Sequence, residues 1–172
     1  RKWHHATLTQ FVSPIVAGRL LGLTVDQMVY AIGISGCHNH TIGCPTAGKL
    51  TMMKNTVDPM AVQSGVFAAL MAKKGYSGTE AVFEGKEGFM DVFGPDWDKA
   101  ALLEGLGKSF KILECSMKAF PTEALTHTHL TATLKVIVDN DIKPEQIDTV
   151  TVTTIARACD ILFDPHKYRP ES

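Results

Sequence analysis

The stretch Asp58-Pro59-Met60-Ala61-Val62-Gln63-Ser64-Gly65-Val66-Phe67-Ala68-Ala69-Leu70-Met71-Ala72-Lys73-Lys74-Gly75 carries both a start and a stop for a helix. Asp58 suits the N-cap, because a carboxylate accepts from the backbone N–H groups that a first turn leaves unpaired, and Pro59 suits the first helical position, where no donor is missed. Gly75 supplies the stop. Ala61, Gly65 and Ala69 recur every four residues, with Ala68 and Ala72 on the adjoining stripe. One face is therefore small enough for another helix or a ligand to approach the backbone. The spacing predicts a helix over 58–74 with that face buried.

Toward the N-terminus, Leu8, Phe11, Val12, Ile15, Val16 and Leu20 recur at three- and four-residue steps, the period of one buried helix face. Pro14 lies inside the pattern and predicts a kink, or a restart with Ser13 as the cap. Gly22 ends this helix. Residues 26–34, with Met28, Val29 and Ile32, read as a second short helix, and 33–56 as loop-rich. Toward the C-terminus, Gly78, Gly85, Gly88 and Gly94 punctuate a loop region, and 97–106 reads as a short helix ended by Gly107.

Beyond Gly107 the texture changes. Residues 110–115 and 147–155 read as strands, the second from its alternating threonine and valine. Between them Pro121 opens a helix with Leu130, Leu134 and Ile137 on its apolar side, closed at Asn140-Asp141. The expected fold is mainly α with a C-terminal α+β part, divided into 1–107 and 108–172.

The 172 residues are 45% apolar, enough for a real core, and carry 17 basic against 18 acidic side chains. That balance leaves no positive surplus to meet phosphates, so nucleic acid is not an expected partner. Polar residues interrupt every apolar run well short of the roughly 18 residues needed to cross a bilayer, so no membrane association is expected. With no visible signal peptide, a soluble cytoplasmic protein is the default. Cys37, Cys44, Cys115 and Cys159 lack the dense spacing of a disulfide framework and read as reduced thiols. Arg1 at the start and the polar end at Ser172 suggest a piece of a longer chain.

Four clusters carry possible chemistry. Trp3-His4-His5-Ala6-Thr7 places two imidazoles and a hydroxyl ahead of the first helix. Such groups bind a carboxylate or move a proton near neutral pH; two surface histidines at a helix start are the bland alternative. Lys54 precedes the helix N-terminus at 58, where unpaired N–H groups also favour an anion, although alone it reads as an ordinary exposed lysine. Lys118-Ala119-Phe120-Pro121-Thr122-Glu123, followed by Thr126-His127-Thr128-His129, gathers a cation, a carboxylate and two imidazoles. Two residues apart on a helix, His127 and His129 face different ways, so at most one joins a site. Cys37-His38-Asn39-His40 with Cys44 offers four zinc-ligand types, but not at a paired-knuckle spacing, and no metal is expected.

Several of these segments, taken in order, resemble the MmgE/PrpD family. Met53-Lys54, Pro59-Met60-Ala61, Ser64 through Ala72 and Gly75-Tyr76-Ser77-Gly78 are similar to its lysine-to-"SGxxAAxLAxxGxxG" signature. Phe83-Glu84-Gly85, Gly88-Phe89 and Leu106-Gly107 follow in the family's order. Upstream, Ala17 through Leu23 resembles its "AgkLLGL" helix end, and Lys118 through Glu123 its "KxFPxE" segment. The family comprises 2-methylcitrate dehydratases, a cis-aconitate decarboxylase and an iminodisuccinate epimerase.

The resemblance implies a helical domain followed by the start of an α+β lid domain, with Gly107 close to the passage between them. It implies a small polycarboxylic acid as substrate and no metal or cofactor. The apolar helix over 8–20 and the small-faced helix after Pro59 both need partners that the chain itself does not supply, so a homo-oligomer is expected, a dimer being the commonest form. It marks His4, His5, Thr7, Lys54, Lys118, Glu123 and His127 as lining the site. The Phe-Pro-x-Glu form is that of dehydratase-like members, whereas the decarboxylase pattern has His at the Glu123 position. In dehydratases a His follows that Glu by two residues; here Leu125 holds the place and His127 stands two residues further on.

The implied reaction is a metal-independent dehydration of the 2-methylcitrate type. Lys54 and Lys118 would bind carboxylates and steady the charge that develops on them. His5 or His127 would be base or acid, and Glu123 would orient a histidine or move a proton. Decarboxylation and epimerisation are the alternatives within the family. A non-catalytic binding or assembly module, or a metal-binding protein built on the 37–44 loop, are the alternatives outside it.

Overall fold

The computed structural model describes residues 2–94 and 96–168, which divide into two units, Arg1–Asp98 with Pro165–Ser172, and Lys99–Asp164. The first unit is built on three helices: α1 (Ala6–Leu21), α2 (Val25–Gly36) and α3 (Val57–Lys73). Each packs against both of the others, α1 and α3 most extensively. No helix among the described residues is long and apolar enough to cross a membrane.

The closeness of α1 and α3 follows from small residues, as the sequence predicts. Ala61, Ala68, Ala69 and Ala72 are all at most 2% exposed, and Gly65 is buried with them. A Cβ on Gly65 would stand 1.8 Å from Ser13 Oγ and 2.7 Å from Pro14 Cδ, so glycine is what lets the backbones come this near. The core then closes through Ala31 and Ile34 of α2 against Ala68, Ala69 and Ala72.

Pro14 neither breaks α1 nor restarts it; the helix runs through it and ends at Gly22 in a left-handed turn, φ 69°. A proline at position 14 removes the donor that would have met the Gln10 carbonyl four residues earlier. The Ser35 hydroxyl of α2 donates to that carbonyl at 2.6 Å. The missing bond is replaced from a neighbouring helix, and Ser13 is a buried contact rather than a cap.

The face that α1 buries also differs from expectation. Its buried residues are Ala6, Thr7, Gln10, Phe11, Ser13, Pro14 and Gly18, whereas of the apolar stripe only Phe11 is covered. Leu8, Val12, Ile15 and Val16 are 45–57% exposed and Leu20 84%. Within this chain the tight seam with α3 decides orientation, and it accepts the small and polar side of α1.

Two helix starts are corrected. α2 begins one residue before Asp26, under a capping box: Thr24 Oγ1 accepts from the Gln27 amide, and Gln27 Oε1 accepts from the Thr24 amide. α3 begins at Val57, so Asp58 and Pro59 lie inside its first turn instead of capping it. Pro59 still costs no bond there, because the first four N–H groups of a helix have no internal partner. The helix stops as expected, with Gly75 at φ 90°.

An aromatic cluster forms beside α1 and α2. Phe11, Val82 and Phe89 are buried, and Phe83, Phe93 and Trp97 pack on them. The short helix α4 (Phe89–Phe93) supplies two of these rings, and the Trp97 indole donates to the Met90 carbonyl at 3.0 Å. Trp3 sets its ring edge-on to Phe93 at 5.9 Å.

The second unit contains α5 (Lys99–Leu103), α6 (His127–Asn140) and α7 (Ala156–Leu162). The helix expected over 97–106 is thus confined to the single turn and a half of α5. The helix expected from Pro121 begins at His127, after a 3-10 turn over Ala124–Thr126. It closes where expected, with Asp141 left-handed at φ 49°. Neither expected strand is present: Lys111–Glu114 is a 3-10 turn, and 147–155 enters no ladder among the described residues. A strand needs a partner for its backbone groups, and alternating Thr and Val supply only the preference. The one β-bridge among the described residues joins Trp3 and Ile42, in the first unit.

Candidate functional site

The N-terminal segment is held by the loop that follows α2. The His4 amide donates to the Thr41 carbonyl at 2.8 Å, and the Gly43 amide donates to the Lys2 carbonyl at 3.0 Å. Thr7, fully buried, clasps the same point twice: its hydroxyl donates to the Thr41 carbonyl at 3.0 Å and accepts from the Thr41 amide at 2.9 Å. Thr7 is thus spent on positioning the loop.

His4 and His5 sit at the entry to α1 with ring centroids 3.9 Å apart. His4 is buried, and its Nδ1 accepts from the Ala6 amide at 3.1 Å. Burial holds its pKa below the usual histidine value, the neighbouring His5 charge adds to that, and Asp58 opposes it. His5 is exposed and its Nε2 lies 2.8 Å from Asp58 Oδ2. The other carboxylate oxygen, Asp58 Oδ1, accepts from the Thr9 hydroxyl at 2.9 Å. Asp58, placed at the start of α3 and freed from capping, therefore receives two side chains one turn apart on α1.

Lys54 lies in the 3-10 turn Met52–Asn55, exposed, three residues before Val57, where α3 begins. Chain connectivity alone keeps it near Asp58, four residues on. A cavity of about 750 Å³ in this unit is lined by Gln10, Thr41, Val57, Ala61, Ser64 and Phe67 among others. None of His4, His5, Lys54 and Asp58 lines it. Thr41, whose carbonyl accepts from the His4 amide, is the lining residue bonded to the histidine segment, and the chemistry of the site is better read from the hydrogen bonds than from cavity size.

His40, first met as a metal-ligand type, has a different setting. Its ring lies 5.5–6.2 Å from the rings of Phe11, Phe89 and Phe93. Burial lowers its pKa, against a hydrogen bond to Gly36 that raises it, and His38 lowers it further. Cys37 and Cys44 are exposed, and the 37–44 loop contributes no set of three metal-ligand atoms among the described residues. His4, His5 and Asp58 do form such a set, within 4.8 Å of one another. Hydrogen bonds already occupy these groups: His4 Nδ1 accepts the Ala6 N–H, and His5 Nε2 lies against Asp58 Oδ2.

The other expected residues lie in the second unit. The Lys118 ammonium donates to the Thr122 carbonyl at 2.9 Å, closing a turn around Phe120-Pro121. Glu123 caps the next turn, its Oε2 accepting from the Leu125 amide at 2.6 Å. His127 opens α6 with its ring edge-on to Phe120 at 5.4 Å, and its Nε2 is buried with no hydrogen-bond partner. These three stand within 118–127, and each is engaged with a neighbour of its own: Thr122, Leu125 and Phe120 respectively.

Residues 1–101 match the MmgE/PrpD N-terminal domain. This chain belongs to the MmgE/PrpD family. The helical character of the first unit agrees with that domain. Among curated MmgE/PrpD relatives, the chain is 30% identical over 134 residues to the cis-aconitate decarboxylase-like protein oryM of Aspergillus oryzae, covering 69% of this chain and 26% of that protein. It is 28% identical over 120 residues to the cis-aconitate decarboxylase of Aspergillus terreus, covering 66% of this chain and 24% of that one. The chain thus spans about a quarter of the length of these relatives. Asp58 and Thr9 are the residues that sequence reading missed: their partners on α1 and α3 lie about fifty positions apart, beyond the reach of local patterns.

Proposed function

We propose that the protein carrying this chain is a lyase that acts on a small polycarboxylic acid, a hydro-lyase of the 2-methylcitrate dehydratase type that works without a metal. The observation that carries the reading is the hydrogen-bonded His5–Asp58 pair at the start of α3, with Lys54 four residues upstream. A dehydration must remove a weakly acidic C–H beside a carboxylate and expel hydroxide. An imidazole with its far nitrogen tied to a carboxylate is suited to take that proton. A lysine, Lys54, four residues before Asp58 in the chain, would offset the charge that collects on the substrate carboxylate. In the second unit, Lys118, Glu123 and His127 supply the same residue types, and the Phe120-Pro121-Thr122-Glu123 form supports dehydration.

The names of the Aspergillus relatives favour a second reading, decarboxylation of cis-aconitate. The test is to follow the full-length protein by proton NMR in deuterated buffer with 2-methylcitrate, cis-aconitate and iminodisuccinate in turn. The dehydratase reading expects a new vinylic product from 2-methylcitrate. Release of carbon dioxide from cis-aconitate, or deuterium uptake with inversion of iminodisuccinate, would replace it by the corresponding alternative. Turnover of none of the three removes the lyase reading.

A further inference from the structure

We propose that the adjacent imidazoles of His4 and His5 hold the same tautomer yet present opposite atoms to a ligand, His5 a bare Nδ1 that takes a proton and His4 an Nε2–H that donates a hydrogen bond, with Asp58 and Thr9 as the residues that position His5. The proposal rests on the lyase reading for its chemistry, but its geometric half stands on the hydrogen bonds alone.

The argument begins with groups that have no choice. A backbone N–H can only donate, so the nitrogen that faces the Ala6 amide, His4 Nδ1, is unprotonated. A neutral His4 then carries its hydrogen on Nε2. A carboxylate can only accept, so the nitrogen facing Asp58 Oδ2, His5 Nε2, carries a hydrogen. A neutral His5 is therefore bare at Nδ1. The Asp58 carboxylate is not free to swing away, since Thr9 donates to its other oxygen at 2.9 Å. Thr9 and His5 lie four residues apart, one turn along α1, so a single helix face presents both donors to one carboxylate.

For a dehydration the step balances as follows. His5 Nδ1 takes the proton beside a substrate carboxylate, and the C–H electron pair becomes the new C=C bond. The C–O bond breaks with its electrons on oxygen. The proton returns from the His5 imidazolium to that oxygen, so water leaves and the neutral imidazole is restored. Asp58 faces the imidazolium while it exists. His4 transfers no proton; its Nε2–H hydrogen-bonds to oxygen. Asp58 touches no substrate in this scheme and acts only through His5.

A double-mutant cycle on the full-length protein tests this, with imidazole ¹⁵N NMR as a readout independent of turnover. Asp58→Asn should lower kcat about tenfold to a hundredfold with KM little changed, and Asp58→Glu should recover part of the loss. In the His5→Ala background, Asp58→Asn should cost less than about twofold, because a residue acting through His5 has nothing left to position. Equal losses in both backgrounds would make Asp58 a structural tie between α1 and α3 and overturn the proposal. The ¹⁵N shifts should show His5 as a single species protonated at Nε2 and bare at Nδ1, becoming a mixture in Asp58→Ala while His4 is unchanged. If the wild type turns over no acid, the lyase reading falls and these shifts alone decide the pairing: a tautomer mixture at His5 in the wild type overturns it too.

Discussion

His40 stands among three phenylalanine rings, where a positive charge loses hydration that the surroundings do not fully restore, and His4 is buried at the head of α1. Both pKa values lie below the usual 6.5. The sign follows from linkage. In the unfolded chain these histidines bind protons near pH 6.5, while in the folded chain they do so only at lower pH. The unfolded state therefore takes up more protons on acidification. Their stabilising contribution is complete above about pH 6.5 and is lost as pH falls from there toward the folded values. Urea denaturation between pH 8 and pH 5 should show stability falling on the acid side. His40→Gln should make that fall shallower by up to about one proton in slope. An unchanged slope would mean that His40 titrates in the folded protein as it does in the unfolded one. Single residues were legible in the sequence as types and poorly as roles. His4, His5 and Lys54 are marked by type and neighbourhood, but Asp58 reads as a cap, because the partner that draws it away lies 53 positions earlier.

At the scale of elements, what the chain writes clearly is the seam between α1 and α3. Gly65 meets Ser13 and Pro14 at distances that admit no Cβ, so Gly65→Ala must push the helices apart or distort both. Overpacking of this kind costs about 1–3 kcal/mol. A urea midpoint lowered to match, with the slope unchanged, is the expected result, and a variant as stable as the wild type would show that the seam yields freely. The small-residue stripe, the helix ends at Gly22 and Gly75 and the closing Asp141 were legible because each rests on local backbone chemistry. The expected strands at 110–115 and 147–155 were not. Their residues favour extended backbone, but a ladder depends on a second segment whose identity no local pattern encodes. The buried side of α1 was misread for a related reason: Pro14 and Ser13 fit against Gly65 more closely than the larger Val12 and Ile15 would.

For the molecule as a whole, the consequence is an apolar surface left open. Leu8, Val12, Ile15 and Val16 form a stripe along α1, and Met60, Val62, Phe67 and Leu70 on α3 are also 44–63% exposed. Contiguous apolar patches beyond a few hundred Å² drive association in water, and a two-fold pairing of identical faces is the commonest solution. Sedimentation of this chain at micromolar concentration should show self-association, and replacing Val12 and Val16 by lysine should shift the mass toward that of a single chain. A wild type that sediments as one chain would show that the stripe is tolerated in water. In the sequence, the glycine-rich stretch and the change of texture mark a passage near residue 107, whereas the contacts of the chain separate at Asp98.

The aromatic cluster beside α1 has a further consequence, for how unfolding is observed. The protein's two tryptophans, Trp3 and Trp97, both belong to the first unit, one edge-on to Phe93 and the other packed against Phe89. Indole emission is therefore a private signal of that unit, whereas far-ultraviolet circular dichroism sums the helices of both. Melting curves recorded by the two methods on one sample would coincide if the units unfold together. They would separate if α6 and α7 unravel on their own, with the emission changing only when the three-helix core opens.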